Sequence, residues 1–151
     1  MCRVERLTES ACRVADGAGS LAFAHAGAKT VVVFFYPTDD TPGCTKEACS
    51  FRDSYQAFTD AGCEVIGVSS DPPASHAAFK AKHRLPYTLL SDERSFLRNG
   101  FGIPSDLFGM LPGRQTYVIG VDGKCLLSFN SQMSPEKHVT EALAVIKAAA
   151  K

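Results

Sequence analysis

Val31-Val32-Val33-Phe34-Phe35-Tyr36 is a continuous run of β-branched and aromatic residues, and it leads directly into Pro37-Thr38-Asp39-Asp40-Thr41-Pro42-Gly43-Cys44. A short apolar run without polar alternation is the pattern of a strand buried on both faces, as at the middle of a sheet covered by helices. The turn after it ends the strand and sets up a helix. Thr41 suits the N-cap, and Pro42 suits the first helical position, where its missing N–H is no loss and its fixed φ is helical. This order demands a central strand with a helix on its exit, and it puts Cys44 in the first turn of that helix.

The rest of the chain extends the pattern. Residues 42–60 read as one helix ended by Ala61-Gly62. Residues 64–69 read as a strand, Asp71-Pro72-Pro73 as a break, and 74–84 as a second helix. Residues 87–90 read as a short strand and 93–99 as a short helix. Residues 100–113 hold four Gly and two Pro and read as a loop. Strands are expected at 115–121 and 124–130, around the hairpin dipeptide Asp122-Gly123. A terminal helix is expected over 135–149, with Ser134 as N-cap and Pro135 at its first position. Strands alternating with helices, then a hairpin, indicate an α/β fold with a central mixed sheet flanked by helices. Residues 1–29 are the least readable, with a short strand expected at Leu21-Ala22-Phe23. The organisation is thus a divergent N-terminal segment, 1–29, ahead of one domain, 30–151.

Composition narrows the function. Lys+Arg and Asp+Glu are both 16, and this absence of basic excess counts against a nucleic-acid partner. The longest apolar run is too short for a membrane span. With 45% hydrophobic and 21% charged residues the chain can bury a core. The six cysteines (2, 12, 44, 49, 63 and 125) follow no repeating spacing. Most read as free thiols of a reducing compartment rather than a disulfide framework, with Cys63 and Cys125 structural. His25, His76, His83 and His138 are scattered, and Cys44-x4-Cys49 lacks two further ligands, so neither a metal nor a cofactor is expected. Neither a secretory signal nor a transit peptide is legible in 1–29.

The chemistry centres on Cys44. Unpaired N–H groups and the positive end of the helix dipole favour an anion in the first turn. A thiolate there is a nucleophile. At about 100° per residue, Cys44, Ala48, Phe51, Tyr55 and Phe58 share one stripe facing the sheet. Cys49 lies about 140° from Cys44 around the axis, with the Cα atoms about 8–9 Å apart. A disulfide needs less than about 7 Å, so these two cysteines can bond only if the first turns unwind. Glu47, Arg52 and Asp53 read as helix-surface charges, with Arg52 close enough to Cys44 to be a candidate for supporting the site.

The segment from Phe35 through Pro37, Thr41, Cys44 and Cys49 to Asp53 resembles the active-site segment of the peroxiredoxins. Within them it is similar to the atypical two-cysteine group called peroxiredoxin Q or bacterioferritin comigratory protein. Leu85-Pro86-Tyr87-Thr88-Leu89-Leu90-Ser91-Asp92, Pro104-Ser105-Asp106-Leu107-Phe108-Gly109 and Pro112-Gly113-Arg114-Gln115-Thr116-Tyr117-Val118 carry the likeness on. Pro135-Glu136-Lys137-His138 looks like the plant and algal branch. The family's usual Val-Gly-x-x-Ala-Pro-x-Phe opening is not found in 1–29.

The resemblance implies a thioredoxin-like fold and a thiol-dependent peroxidase acting on hydrogen peroxide and organic hydroperoxides, in antioxidant defence. Cys44 would be the peroxidatic cysteine, oxidised to a sulfenic acid. Thr41 would hydrogen-bond the thiolate and the peroxide, Pro37 would shield the sulfenic acid, and Arg114 would stabilise charge on the peroxide oxygens. Cys49 would resolve it as a Cys44–Cys49 disulfide, reduced in turn by thioredoxin or a similar dithiol. The plant-like tail implies a chloroplast location. An intramolecular disulfide makes a dimer unnecessary, so a monomer is expected. A peroxide sensor on the same fold is the alternative, with Cys44 oxidation as switch and helix unwinding as signal. A disulfide reductase would instead carry Cys-x-x-Cys.

Overall fold

A computed structural model describes residues 29–101, 103, 113–121 and 125–149. The elements, in chain order, are β1 (Thr30–Phe35), α1 (Pro42–Asp53), α2 (Tyr55–Asp60), β2 (Cys63–Ser69), α3 (Pro73–His83), β3 (Thr88–Ser91), α4 (Phe96–Phe101), β4 (Gln115–Ile119), β5 (Cys125–Asn130) and α5 (Pro135–Ala149). The strands form one mixed sheet in the order β3-β2-β1-β4-β5. β1 is central, as its apolar run requires. It pairs parallel with β2 (Val33↔Ile66) and antiparallel with β4 (Val33↔Tyr117). The β2–β3 pair is parallel and the β4–β5 pair antiparallel.

Alternate residues of β1 supply two cores. Val32, Phe34 and Tyr36 pack with Cys44, Ala48 and Phe51 of α1, Phe58 of α2, Phe79 of α3, and Val139, Ala142 and Ile146 of α5. Val31, Val33 and Phe35 pack on the other side with Ile66, Leu90, Tyr117 and Leu97 of α4. Residues 31–36 are all at 0% exposure, so the strand is covered on both faces. Among the described residues no helix is long and apolar enough to cross a membrane.

The single helix expected over 42–60 is two. Ser54, at φ −102° and ψ 4°, breaks it, and its carbonyl accepts from Ala57 N and Phe58 N. Serine competes weakly for helix interior. The break still leaves Phe58 against Phe51, ring centroids 5.8 Å apart. The short helix begins at Phe96 rather than 93, because the Asp92 carboxylate accepts the N–H groups of Leu97 and Arg98, both at 3.0 Å. The terminal helix has the expected bounds. The strand at Leu21-Ala22-Phe23, the Asp122-Gly123 turn and most of the 100–113 loop lie outside the described residues.

Candidate active site

The exit of β1 builds one side of the site. Thr41 is the N-cap of α1 in extended conformation, and its carbonyl accepts from Thr45 N at 2.8 Å. Its hydroxyl donates to the Thr38 carbonyl at 2.9 Å rather than capping the helix. Pro37 is buried in the same loop. Cys44, third residue of α1, is 1% exposed. The register supplies the other side. β4 runs antiparallel to β1, with Phe35 opposite Gln115. Arg114, just before β4, therefore lies beside the loop that leaves β1.

Arg114 is 3% exposed and reaches the helix start. Its Nη2 donates to Cys44 Sγ at 3.4 Å, its Nε to the Gln132 carbonyl at 3.3 Å, and its Nη1 is 3.4 Å from Glu47 Oε1. A guanidinium at this distance can stabilise negative charge that develops on a polar bond brought to it. The structure thus places Arg114 on Cys44, with Thr41 at the helix N-cap and Pro37 buried in the loop before it.

Glu47 is not a surface carboxylate. It is fully buried on the same face as Cys44, three residues on. Burial pushes its carboxyl up to about 8, and the neighbouring Arg114 pulls the other way. The Arg114–Glu47 contact is close but poorly aligned: Arg114 Nη1 and both Glu47 oxygens are buried without hydrogen-bond partners. Unsatisfied buried groups of this kind are costly. Glu47 Oε2 is also 3.6 Å from His138 Nε2 of α5. His138 donates from Nε2 to the Ser131 carbonyl at 2.8 Å and accepts from the Thr116 hydroxyl at Nδ1 at 2.7 Å. Burial holds its imidazole well below the usual range, at about 4. The i,i+3 spacing of Cys44 and Glu47 was the available signal for Glu47. No local pattern marked His138.

Cys49 is half-buried, and Cys44, Cys49 and Cys63 are free thiols. α1 is continuous across both Cys44 and Cys49. The i,i+5 helical separation of about 8–9 Å therefore applies, beyond disulfide reach. Tyr87 tightens this stretch, its hydroxyl donating to the Ala48 carbonyl at 2.6 Å. Arg52 is not a free surface charge, because its Nη1 donates to the His83 carbonyl at 2.8 Å.

Asp39, Asp71 and His76 each place one ligand-type atom within 4.8 Å of the others. These atoms are already engaged. His76 faces the Asp39 carboxylate at 2.7 Å from Nδ1 and the Leu90 carbonyl at 2.9 Å from Nε2. The Leu90 carbonyl only accepts, so Nε2 carries a proton; burial pulls the imidazole down, and the Asp39 carboxylate outweighs it and raises the imidazole above its usual range. Asp39 also accepts from the Tyr36 and Ser75 hydroxyls, and Asp71 accepts from Asp39 N and Ser69 Oγ. The cluster ties the β1 exit loop to α3 and β3.

Residues 12–126 match the AhpC/TSA family. The chain is 60% identical over 121 residues to "Peroxiredoxin Q, chloroplastic" of Gentiana triflora, covering 80% of this chain and 56% of that protein. It is 60% identical over 118 residues to the protein of the same description from Arabidopsis thaliana, covering 78% and 55%. It thus spans about half the length of the curated relatives it matches. Among solved structures, peroxidoxin BcpB of Mycobacterium tuberculosis is 41% identical with a TM-score of 0.72, covering 79% of each chain. Peroxiredoxin Q of Xanthomonas campestris is 34% identical with a TM-score of 0.76, covering 85% of this chain and 83% of that one. The fold is that of the thioredoxin-fold peroxiredoxins, and the chain belongs to the AhpC/TSA family.

Proposed function

We propose that the protein is a thiol-dependent peroxidase that reduces hydrogen peroxide and organic hydroperoxides. The observation that carries this reading is the buried Cys44 thiol in the first turn of α1, with the Arg114 guanidinium on its sulfur at 3.4 Å. The Cys44 thiolate attacks the terminal oxygen of ROOH. An S–O bond forms, the O–O bond breaks, and the leaving alkoxide or hydroxide takes a proton to become ROH or water. The sulfur loses two electrons and becomes a sulfenic acid, and the peroxide gains them. Arg114 steadies the charge that moves onto the leaving oxygen, Thr41 orients the peroxide, and Pro37 screens the sulfenic acid from water.

Cys49 is the resolving residue. Its thiol attacks the Cys44 sulfur, the S–S bond forms, and water leaves. This step requires the first turns of α1 to unwind. Thioredoxin or a similar dithiol then reduces the disulfide by exchange. The cycle needs no metal, cofactor or second subunit, which favours a monomer. The plant relatives favour a chloroplast location and a role in antioxidant defence.

The test is peroxide consumption with thioredoxin, thioredoxin reductase and NADPH. Many turnovers are expected, none with Cys44→Ser, and a single first turnover with Cys49→Ser. Cessation after one equivalent in the unsubstituted protein would instead mark a sensor. Amide protection over residues 42–50 is expected to fall on oxidation, and unchanged protection there refutes the unwinding step.

A further inference from the structure

The residues around Cys44 stand on two chain segments, the loop leaving β1 and the residues entering β4. The ladder between these strands ends at the pair Phe35↔Gln115. Beyond that rung one side chain joins both segments. Arg98 of α4, 8% exposed, donates through Nη2 to the Tyr36 carbonyl at 3.0 Å and through Nη1 to the Gly113 carbonyl at 2.5 Å. Tyr36 directly precedes Pro37, and Gly113 directly precedes Arg114. A guanidinium offers its donors in a rigid planar fork, so it can hold two carbonyls at a fixed separation. The fork is itself held in place. Arg98 N is bound by Asp92 Oδ2 at 3.0 Å, and the guanidinium carbon lies 5.7 Å from the Phe35 ring centroid.

We propose that Arg98 is a positioning residue for the peroxide reaction, a guanidinium rung that fixes the Pro37 loop and Arg114 relative to each other and so sets how Arg114 meets Cys44. The proposal rests on the peroxidase reading. The field at the site supports it. Burial weakens the hold of Arg98 on its proton, and the charges of Asp92 and Cys44 oppose that effect. The hydrogen bonds of the Arg98 guanidinium go to the Tyr36 and Gly113 carbonyls. It acts through the two strand ends.

Arg98→Lys and Arg98→Met separate charge from geometry. Lysine keeps a cation but cannot span both carbonyls as a fork. The readouts are the rate of Cys44 oxidation by hydrogen peroxide in a single turnover, the rate of disulfide reduction by dithiothreitol, and near-UV circular dichroism. The expected result is oxidation slowed about tenfold or more in Arg98→Lys and further in Arg98→Met, an effect of the size a misplaced catalytic group produces. Disulfide reduction should stay within about twofold of the unsubstituted protein, and ethylguanidinium should restore part of the Arg98→Met loss. Oxidation of Arg98→Lys at the unsubstituted rate overturns the proposal. If Arg98→Met fails to fold, Arg98→Lys decides alone. If the unsubstituted protein consumes no peroxide, the peroxidase reading fails. The positioning claim is then judged by Cys44 alkylation with iodoacetamide, where an equal rate in Arg98→Lys overturns it.

Discussion

Cys44 Sγ and Arg114 Nη2 are 3.4 Å apart although 70 positions separate them in sequence, and Gly43 is the residue over which the guanidinium lies. A Cβ on Gly43 would stand 3.0 Å from Arg114 Nη2. Gly43→Ala must therefore push the tip of a flexible side chain, a small structural demand in a helix that gains about 0.5–1 kcal/mol from alanine over glycine. The fold is expected to keep or raise its Tm while single-turnover peroxide reduction slows about tenfold, as expected of a displaced charge. Thermal melting and stopped-flow oxidation check the two halves. An unchanged rate would mean that Arg114 is not held by this contact.

Glu47 titrates against the fold. Its carboxyl is pushed by burial from the usual 4.5 to about 8, against the pull of Arg114. An acid whose folded value is raised is best accommodated protonated. Its stabilising contribution is complete below about 4.5 and is lost as pH rises through about 8. Glu47→Gln keeps the shape and removes the titration. The unsubstituted protein should lose stability between pH 5 and pH 9 more steeply than Glu47→Gln, as read by denaturant midpoints. Parallel curves would show Glu47 ionised and paired throughout.

His138 carries the opposite sign. Burial and the nearby Arg114 charge hold its imidazole at about 4, below the usual 6.5, against the Ser131 carbonyl, which favours the proton. The stability it contributes is present above 6.5 and is lost as pH falls toward about 4. His138→Gln should be less stable at pH 7.5, because the Thr116 and Ser131 contacts are altered, yet flatter between pH 6.5 and pH 4.5. Midpoints at those three pH values test this.

Tyr87 guards the helix that must open. Its hydroxyl donates to the Ala48 carbonyl, one residue before Cys49, at 2.6 Å. A hydrogen bond of this kind is worth about 1 kcal/mol net, so Tyr87→Phe should speed disulfide formation about fivefold. The peroxide step, on the other side of the helix turn, should be unchanged. Rapid-quench mass analysis of sulfenic acid and disulfide separates the two steps. Equal disulfide rates would place the barrier elsewhere.

Much of the framework could be read from short stretches of chain. An apolar run with no alternation placed β1 at the centre of the sheet, because only a doubly covered strand can bury both faces. Thr41-Pro42 located the helix start, and Ser134-Pro135 did so for α5, since caps and fixed φ act within a turn. The break at Ser54 is not legible in the sequence, because the apolar stripe continues on both sides of it. Nor is the Asp92 cap, because it binds amides five and six residues away.

Residues 30–60 by themselves determined that a cysteine would sit at the mouth of a helix, with a second cysteine too far round the helix to bond. Only the tertiary structure decided what surrounds that cysteine. Burying a carboxylate or a guanidinium is unfavourable until partners are assembled, so Glu47 reads locally as a solvated charge. The antiparallel register of β1 and β4 supplies those partners. It brings Arg114 onto Cys44, gives Arg98 two carbonyls to bridge, and leaves Glu47 enclosed between Arg114 and His138.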